Sequence, residues 1–374
     1  MSGGGGNDGL FDLIEAQPIL QDRFCSLKRL DHQGSFSLVL TATDTATGDT
    51  VVVKFLHPFE REQYRRDSFS RESDILQRLD GTEGIIRLIS PLSEFVGVLP
   101  PYKIEIPLSY YVVEFAERDV EHLIELGTLG TEAKLLMFKD MCKSVQRIHS
   151  MGLVHRDLKP GNFLLLKTGN LKLSDFGTAR FIDQDSKPIL TDYAGFPPGD
   201  VRYMSPEMLA SLHDTDAAFA FKGDMFSLGA ILFELFTGTI LVNQLFDAQF
   251  QDELLRHMAA IARERRREIY DQIIGHMDDS RPLPSITSFA PSGPSCVLPI
   301  VNDLYRNLSA LDYRKRTGNF KYAFLKINQA LLVLRNEQKL RKWRENREIY
   351  RERLLLRRER LKVQWSTAHS GEGK

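Results

Sequence analysis

Cysteine is scarce in this sequence, and long uninterrupted apolar runs are absent from it. The 374 residues include three cysteines, and no two of them form a Cys-x-x-Cys pair: Cys25, Cys142 and Cys296. This argues against a zinc site or a disulfide framework and fits a reducing compartment. The longest apolar segment, residues 225–242, is interrupted by Glu234 and Gly238, which favours a buried helix over a membrane span. We therefore expect a cytoplasmic protein without a transmembrane segment.

Neither sign of charge dominates the chain. It carries 49 Lys and Arg against 50 Asp and Glu, for a formal net charge of -1. Such a balance gives no overall attraction to nucleic acid, so nucleic acid is not expected as a partner. The first nine residues are rich in glycine and lack the basic-then-apolar order of a secretory signal. We assign residues 1–20 to a flexible N-terminal tail.

Short segments rich in β-forming residues follow this tail. Five strands are predicted, at residues 24–30, 37–43, 50–55, 85–89 and 110–115. A helical pattern over residues 60–79 separates the third strand from the fourth, and a proline-rich stretch predicts a long loop between the last two. Residues 21–115 are therefore expected to form a small five-stranded β lobe with one main helix.

Helical patterns dominate the rest of the chain. Apolar residues at helical spacing predict helices over residues 131–151, 225–236, 249–277 and 301–310. The first of them should end at Gly152, and a short hairpin is predicted over residues 163–174. Residues 116–336 therefore form a larger helical lobe, and the fold class is α+β with two lobes.

Several motifs in this frame carry chemistry. The segment from His155 to Asn162 reads HRDLKPGN, and Asp175-Phe176-Gly177 follows the predicted hairpin. With Lys54 at the end of a valine-rich strand and Ser205-Pro206-Glu207 farther on, they resemble the eukaryotic-type protein Ser/Thr kinase catalytic domain, in the family's order. The resemblance covers about residues 30–316. It implies a two-lobed protein kinase-like fold, ATP and Mg²⁺ as cofactors, and protein substrates phosphorylated on Ser or Thr.

The resemblance also assigns catalytic roles. Asp157 would accept the proton of the substrate hydroxyl, and Lys159 would offset charge on the transferring phosphoryl group. Asn162 and Asp175 would hold Mg²⁺ through the hard oxygen ligands that this ion prefers. A lysine two residues after the aspartate is more typical of Ser/Thr than of Tyr kinases.

Two further pairs of residues follow from the family pattern. Lys54 would reach the α- and β-phosphates, held in place by Glu72 of the first predicted helix. Arg316 matches the arginine that pairs with the glutamate of the Ser-Pro-Glu motif, here Glu207. Asp224 matches the helix residue that braces the catalytic loop.

Nucleotide contacts are implied at the phosphate-covering loop and at the hinge between the lobes. The residues of the loop are Gly34, Phe36 and Val39; those of the hinge are Glu114 and Ala116, where backbone groups would contact adenine. The loop keeps one of the family's three glycines, and glycine allows backbone N–H groups to approach phosphates closely. This loss leaves an alternative open, a pseudokinase that acts as a nucleotide-binding scaffold through partner binding.

Asp200 is a second departure, because Ser/Thr kinases usually carry threonine there. Its carboxylate would be repelled by Asp157 unless it turns toward Lys159 or Arg156. Two activation hypotheses stay open: phosphorylation at Thr191 or Tyr193, or an acidic substitute for the phosphate at Asp192 or Asp200.

The C-terminal segment, residues 337–374, is a basic amphipathic helix and tail. Residues 337–363 carry 11 Lys or Arg against 5 Glu. Five apolar residues fall on one stripe that arginine interrupts at two places: Leu340, Trp343, Tyr350, Leu354 and Leu361. The pattern leaves open packing on the large lobe, self-association or partner binding through this helix, and contact with a charged surface.

Overall fold

A computed structural model describes residues 8–30, 37–99, 104–182, 199–210, 212, 217–246, 257–258, 260–280, 282–289 and 294–369. One part of the chain is built on an antiparallel sheet and the other is mostly helical. The predicted α+β class with two lobes is confirmed. Among the described residues, no helix combines the length and the apolar character needed to cross a bilayer.

The sheet of the smaller lobe has six strands in the order β1-β2-β3-β4-β6-β5, all antiparallel. Their bounds are β1 Ile19–Leu20, β2 Phe24–Arg29, β3 Ser37–Asp44, β4 Thr50–Leu56, β5 Leu88–Leu99 and β6 Ile104–Glu114. Five strands were predicted; β1 is the sixth, and two residues are too few for a sequence pattern. On β4, Val51, Val53 and Phe55 are buried on one face, which leaves Lys54 on the other.

The hairpin of β5 and β6 is longer than predicted and includes much of the proline-rich stretch assigned to a loop. Pro107 pairs with Val96 inside it. Proline is tolerated there because β4 pairs with β6 only from Tyr110 to Glu114, so the other edge of β6 is not bonded to β4 at Pro107. Pro91 lies where the register shifts between Ser90 and Ser93, another position that accepts proline.

A short helix, α1 (Asp8–Glu15), covers the far side of this sheet. Its side chains Leu10, Phe11, Leu13 and Ile14 are buried there. A Cβ on Gly97 of β5 would lie 2.8 Å from Cδ2 of Leu13, so the helix approaches the strand closely where glycine permits it. The sequence analysis assigned residues 1–20 to a flexible tail. For residues 8–15 the structure instead shows a packed helix. Their apolar residues at helical spacing were overlooked beside the glycine-rich start.

The larger lobe contains helices and several short strands. The helices of the larger lobe are α3 Val120–Glu125, α4 Thr131–Ser150, α5 Pro206–Leu209, α6 Ala217–Thr237, α7 Leu241–Leu245, α8 Arg263–Ser280, α9 Ile286–Phe289, α10 Leu298–Leu308 and α11 Phe320–His369, whereas α2 (Gln63–Arg78) belongs to the smaller lobe and packs on its sheet. The strands are β7 Arg118–Asp119, β8 Leu153–Val154, β9 Phe163–Leu165, β10 Leu171–Leu173 and β11 Arg180–Phe181. Gly152, with a φ of 74°, follows α4 as predicted.

Helix α6 forms the centre of this lobe. Its residues from Met225 to Leu235 are buried on all sides, as expected for a helix that is hydrophobic around its circumference. Helices α4 and α10 pack against it, and the first part of α11 packs against both. From Arg335 to Arg358 the side chains of α11 that the structure describes are exposed.

A buried ion pair joins the start of α5 to the segment after α10. Glu207 and Arg316 bond to each other, with Nη2 of Arg316 3.1 Å from Oε2 of Glu207, and both side chains are fully buried. Arg316 also donates to the carbonyl oxygens of Ala310 and Lys222. The predicted pairing is confirmed, and every charge in it has a partner.

Replacing Arg316 by Met should strongly destabilise the protein, because Glu207 would become an unpaired buried charge. We expect a loss of about 3–5 kcal/mol in the free energy of unfolding, measured by urea titration. The matched control is Arg341→Met, since Arg341 and its partner Glu345 are both exposed on α11; its loss should be about 0–1 kcal/mol. Equal losses in the two variants would contradict this account of the pair.

Candidate active site

Lys54 and Glu72 meet between the sheet and α2. Lys54 lies on β4 between Val39 of β3 and Tyr111 of β6. Its Nζ is 3.0 Å from Oε1 of Glu72, which is buried in α2. Burial alone would lower the pKa of Lys54, but the charges of Glu72 and Asp175 outweigh it and raise the pKa above 10.5. The lysine therefore stays protonated beside two carboxylates.

Tyr111 lies beneath this pair, and the sequence analysis did not single it out. The Nζ of Lys54 is 5.7 Å from the centroid of its ring, and the ring is 4.8 Å from that of Phe69 in α2. Burial raises the pKa of Tyr111 well above 10, and the charge of Glu72 raises it further. A neutral ring thus supports both partners of the ion pair. The alternation of β6, which turns Tyr111 and Val113 to one face, was the available signal.

Asp175, Phe176 and Gly177 follow β10 after one intervening residue, Ser174. Phe176 is fully buried, and its ring centroid is 5.0 Å from that of His155. Arg71 of α2 donates from Nη1 to the carbonyl oxygen of Gly177 at 2.8 Å. Helix α2 is therefore bonded both to Lys54 and to the segment that carries Asp175.

Three donors converge on Asp157 of the catalytic loop. Nζ of Lys159 donates to its Oδ2 at 3.1 Å, and the backbone N–H of Asp200 donates to its Oδ1 at 2.8 Å. Nδ2 of Asn162 donates to the carbonyl oxygen of Asp157 at 2.8 Å. Both carboxylate oxygens are thereby oriented.

The surroundings of Asp157 also tune its basicity. Burial raises its pKa above 3.8, Lys159 lowers it and the charge of Asp175 raises it again, with a net increase. A raised pKa makes a carboxylate a better proton acceptor than an exposed aspartate is. Asp157 thus has the properties of a general base.

The catalytic loop is anchored from below by Asp224 of α6. The carboxylate accepts the backbone N–H groups of His155 and Arg156, each at 2.9 Å, and lies 2.8 Å from Nε2 of His149. Arg156 has a φ of 67°, a left-handed conformation that costs a non-glycine residue free energy. Asp224 helps to hold the loop in that conformation.

The carboxylate of Asp200 has a partner that the sequence analysis did not name. Lys159 or Arg156 was predicted; the carboxylate instead binds Arg202, with Nη2 of Arg202 2.7 Å from Oδ2 and Nε 3.1 Å from each oxygen. Burial opposes ionisation of Asp200, but these bonds outweigh it and lower its pKa below 3.8. The two residues are separated by one position, and a turn of the backbone brings their side chains together.

The implied nucleotide contacts are only partly within the described residues. Val39 lies on β3 beside Lys54, but Gly34 and Phe36 lie outside the described residues, and so do Thr191, Asp192 and Tyr193. At the hinge, Oε1 of Glu114 accepts the backbone N–H of Arg87 at 2.8 Å, and Ala116 follows two residues later. The side chain of Glu114 therefore anchors the hinge, and adenine contacts there would fall to backbone groups.

Asn162 and Asp175 offer oxygen donors of the kind that Mg²⁺ prefers. The backbone carbonyl oxygen of Asn162 accepts hydrogen bonds from both the N–H and the hydroxyl of Ser174, the residue before Asp175. Nδ2 of Asn162 is bound to Asp157, which turns its amide oxygen to the other side. Across the described ranges no cluster of three or more His, Cys, Asp or Glu could hold a metal. One carboxylate and one amide oxygen suit Mg²⁺, which takes its remaining ligands from phosphate and water.

The sheet lobe, the helical lobe and the site between them define a protein kinase-like fold. The sequence profile of the family described as "Protein kinase domain" matches residues 32–323, which is more than half of the chain. The chain therefore belongs to the protein kinase family.

Similar proteins are protein kinases by name, and one of those given below is named as a serine/threonine-protein kinase. Human mitogen-activated protein kinase 4 is 30% identical over 245 residues, 63% of this chain and 39% of the human protein. Its rat counterpart is 31% identical over 244 residues, 63% of this chain and 82% of that sequence. A probable serine/threonine-protein kinase PknB of Lactococcus lactis is 29% identical over 61% of this chain and 34% of its own length. The chain thus spans well under half the length of the human and bacterial relatives. The predicted class, protein Ser/Thr kinases, is confirmed at the level of the family.

Replacing Asp224 by Asn should destabilise the catalytic loop in a pH-dependent way. Burial opposes ionisation of Asp224, but the bonds from His149 and His155 outweigh it and lower its pKa below 3.8. We expect a loss of about 2–3 kcal/mol in the free energy of unfolding at pH 7.

The lowered pKa fixes the direction of the pH dependence. Asp224 stabilises the fold above pH 3.8, and this contribution disappears as the pH falls through the lower pKa of the folded state. The deficit of Asp224→Asn, measured by urea unfolding, should therefore shrink on acidification. Asp140→Asn, at a half-exposed ion pair with Lys143, is the control. A deficit that is constant from pH 7 to pH 3 would contradict the assignment.

Proposed function

We propose that this protein is a Ser/Thr kinase that transfers the γ-phosphoryl group of ATP to Ser or Thr hydroxyls of proteins, including its own. The observation that carries the proposal is the position of Asp157. It is buried, oriented on both oxygens and has a raised pKa. The implied metal ligand Asn162 donates to its carbonyl oxygen, and the charge of Asp175, the other implied ligand, contributes to the raised pKa. A binding scaffold has no need of this arrangement.

The chain's own residues divide the work of the reaction. ATP with Mg²⁺ supplies the phosphoryl group and neutralises charge that develops on it. Lys54, held by Glu72, binds phosphate oxygens, and Asn162 and Asp175 hold the metal ion. Asp157 orients the substrate hydroxyl and accepts its proton, while Lys159 offsets charge next to it.

The organisation of the chain is part of the proposal. Residues 21–115, together with α1 and β1 before them, form the N-lobe, residues 116–336 the C-lobe and residues 337–374 a basic helix and tail. A cytoplasmic location is supported by the three cysteines, which are all free thiols: Cys25, Cys142 and Cys296.

Replacing Asp157 by Asn should reduce turnover by about 10²–10⁴-fold, because the general base is lost while the shape of the side chain is kept. The measurement is transfer of label from γ-labelled ATP to a generic protein substrate, together with the Kd of an ATP analogue. Binding should remain close to that of the parent protein.

The matched control is Asp80→Asn, at an exposed aspartate after α2, which should behave like the parent. Near-normal turnover of Asp157→Asn would contradict the assigned base. Nucleotide binding without any transfer by the parent protein would favour the pseudokinase alternative.

We also propose that the outer part of α11 is an interaction segment, for a second copy of the chain or for another protein. Five large apolar side chains are between 42% and 64% exposed there: Ile349, Tyr350, Leu354, Leu355 and Leu356. Removal of the residues after Gln338 tests self-association by light scattering. A halved mass would support a second copy as the partner, and an unchanged mass would exclude it.

A further inference from the structure

Asp200 and Arg202 lie at the end of the segment that runs from Asp175 toward α5, directly against the catalytic loop. Gly199, just before them, has a φ of 101°, and a Cβ on it would lie 2.5 Å from the carbonyl oxygen of Arg156. Glycine is therefore needed for this approach. The approach allows the N–H of Asp200 to donate to Oδ1 of Asp157 at 2.8 Å.

The same approach brings two carboxylates near each other. Without a cation between or beside them, the carboxylates of Asp157 and Asp200 would repel, and the segment would be pushed away from the loop. Lys159 is bonded to Asp157, and Arg202 supplies the cation that binds Asp200 directly. Its Nε and Nη2 bind both oxygens of Asp200, and its own N–H donates to Oδ1 of Asp200 at 3.0 Å.

Arg202 also reaches across to α3. Its Nη1 lies 3.4 Å from Oε1 of Glu121, and Oε2 of Glu121 lies 2.9 Å from where a Cβ on Gly161 of the catalytic loop would be. The arginine thus ties the segment to a helix that itself contacts the loop. The next residue, Tyr203, adds a buried anchor through its hydroxyl, which donates to Glu234 of α6 at 2.8 Å.

We propose that Arg202 is a positioning residue for the catalytic base. By binding Asp200 and Glu121 it holds the N–H of Asp200 on the carboxylate of Asp157. The role in turnover rests on the proposed kinase function, whereas the bond geometry does not.

The decisive experiment compares Arg202→Met with the double variant Arg202→Met/Asp200→Asn. The single variant removes the cation that is bonded to Asp200, and kcat should fall by about 10–10²-fold through misplacement of the base. KM for ATP should stay within about twofold, because Lys54, Glu72 and Asp175 are untouched. Removing the charge of Asp200 in the double variant should restore kcat to within about threefold of the parent.

An arginine that acted only through packing would not be rescued by Asp200→Asn, so a double variant as impaired as the single one would overturn the proposal. So would a kcat of Arg202→Met within twofold of the parent. Arg335→Met is the control, since Arg335 forms an exposed ion pair with Glu132 between α11 and α4; its kcat should not change.

Amide hydrogen exchange tests the same inference without any turnover. Exchange in a peptide that covers residues 199–204 should be faster in Arg202→Met than in the parent and slower again in the double variant. Unchanged exchange in Arg202→Met would overturn the proposal. If the two variants show this exchange pattern but the parent transfers no phosphate, the proposed kinase function is wrong. The positioning of Asp200 by Arg202 would still be supported.

Discussion

The catalytic loop depends on a buried carboxylate that belongs to the core of the large lobe. A loop cannot pair its own backbone groups as a helix does, and buried N–H groups without partners are costly. Asp224, a residue of helix α6, accepts hydrogen bonds from two N–H groups of the loop. Hydrophobic packing on all sides fixes the position of this helix. The place of Asp157, one residue beyond Arg156, is therefore set by the most deeply buried helix of the lobe.

Charged side chains between the two lobes lie beside groups of opposite charge. These neighbours, together with burial, determine the pKa of each group. Lys54 stays protonated because Glu72 and Asp175 flank it, and Asp157 keeps a raised pKa because burial outweighs the attraction of Lys159. Fixed charges of this kind stabilise a reaction without having to reorganise during it. Helix α2 contacts both Lys54 and the segment that contains Asp175, because it carries Glu72 and also donates from Arg71 to the carbonyl oxygen of Gly177.

Local motifs made most of this site predictable from the sequence. The segment His155–Asn162 and the triplet after β10 each specify residue types at fixed spacing, and the strand pattern turned Lys54 away from the buried valines. Features that depend on neighbours in space were missed. The β5–β6 hairpin tolerates Pro107 because of where β4 stops pairing, and Asp200 finds Arg202 through a backbone turn. Helix α1 was missed because four apolar residues stood beside a glycine-rich start.

The most direct test of the account is phosphoamino-acid analysis of the protein after incubation with γ-labelled ATP and Mg²⁺. The parent should carry label on serine or threonine, and Lys54→Ala should carry almost none, because Lys54, beside Glu72 and Asp175, is the proposed phosphate-binding residue. Label on the parent that persists in Lys54→Ala, or label confined to tyrosine, would contradict the account.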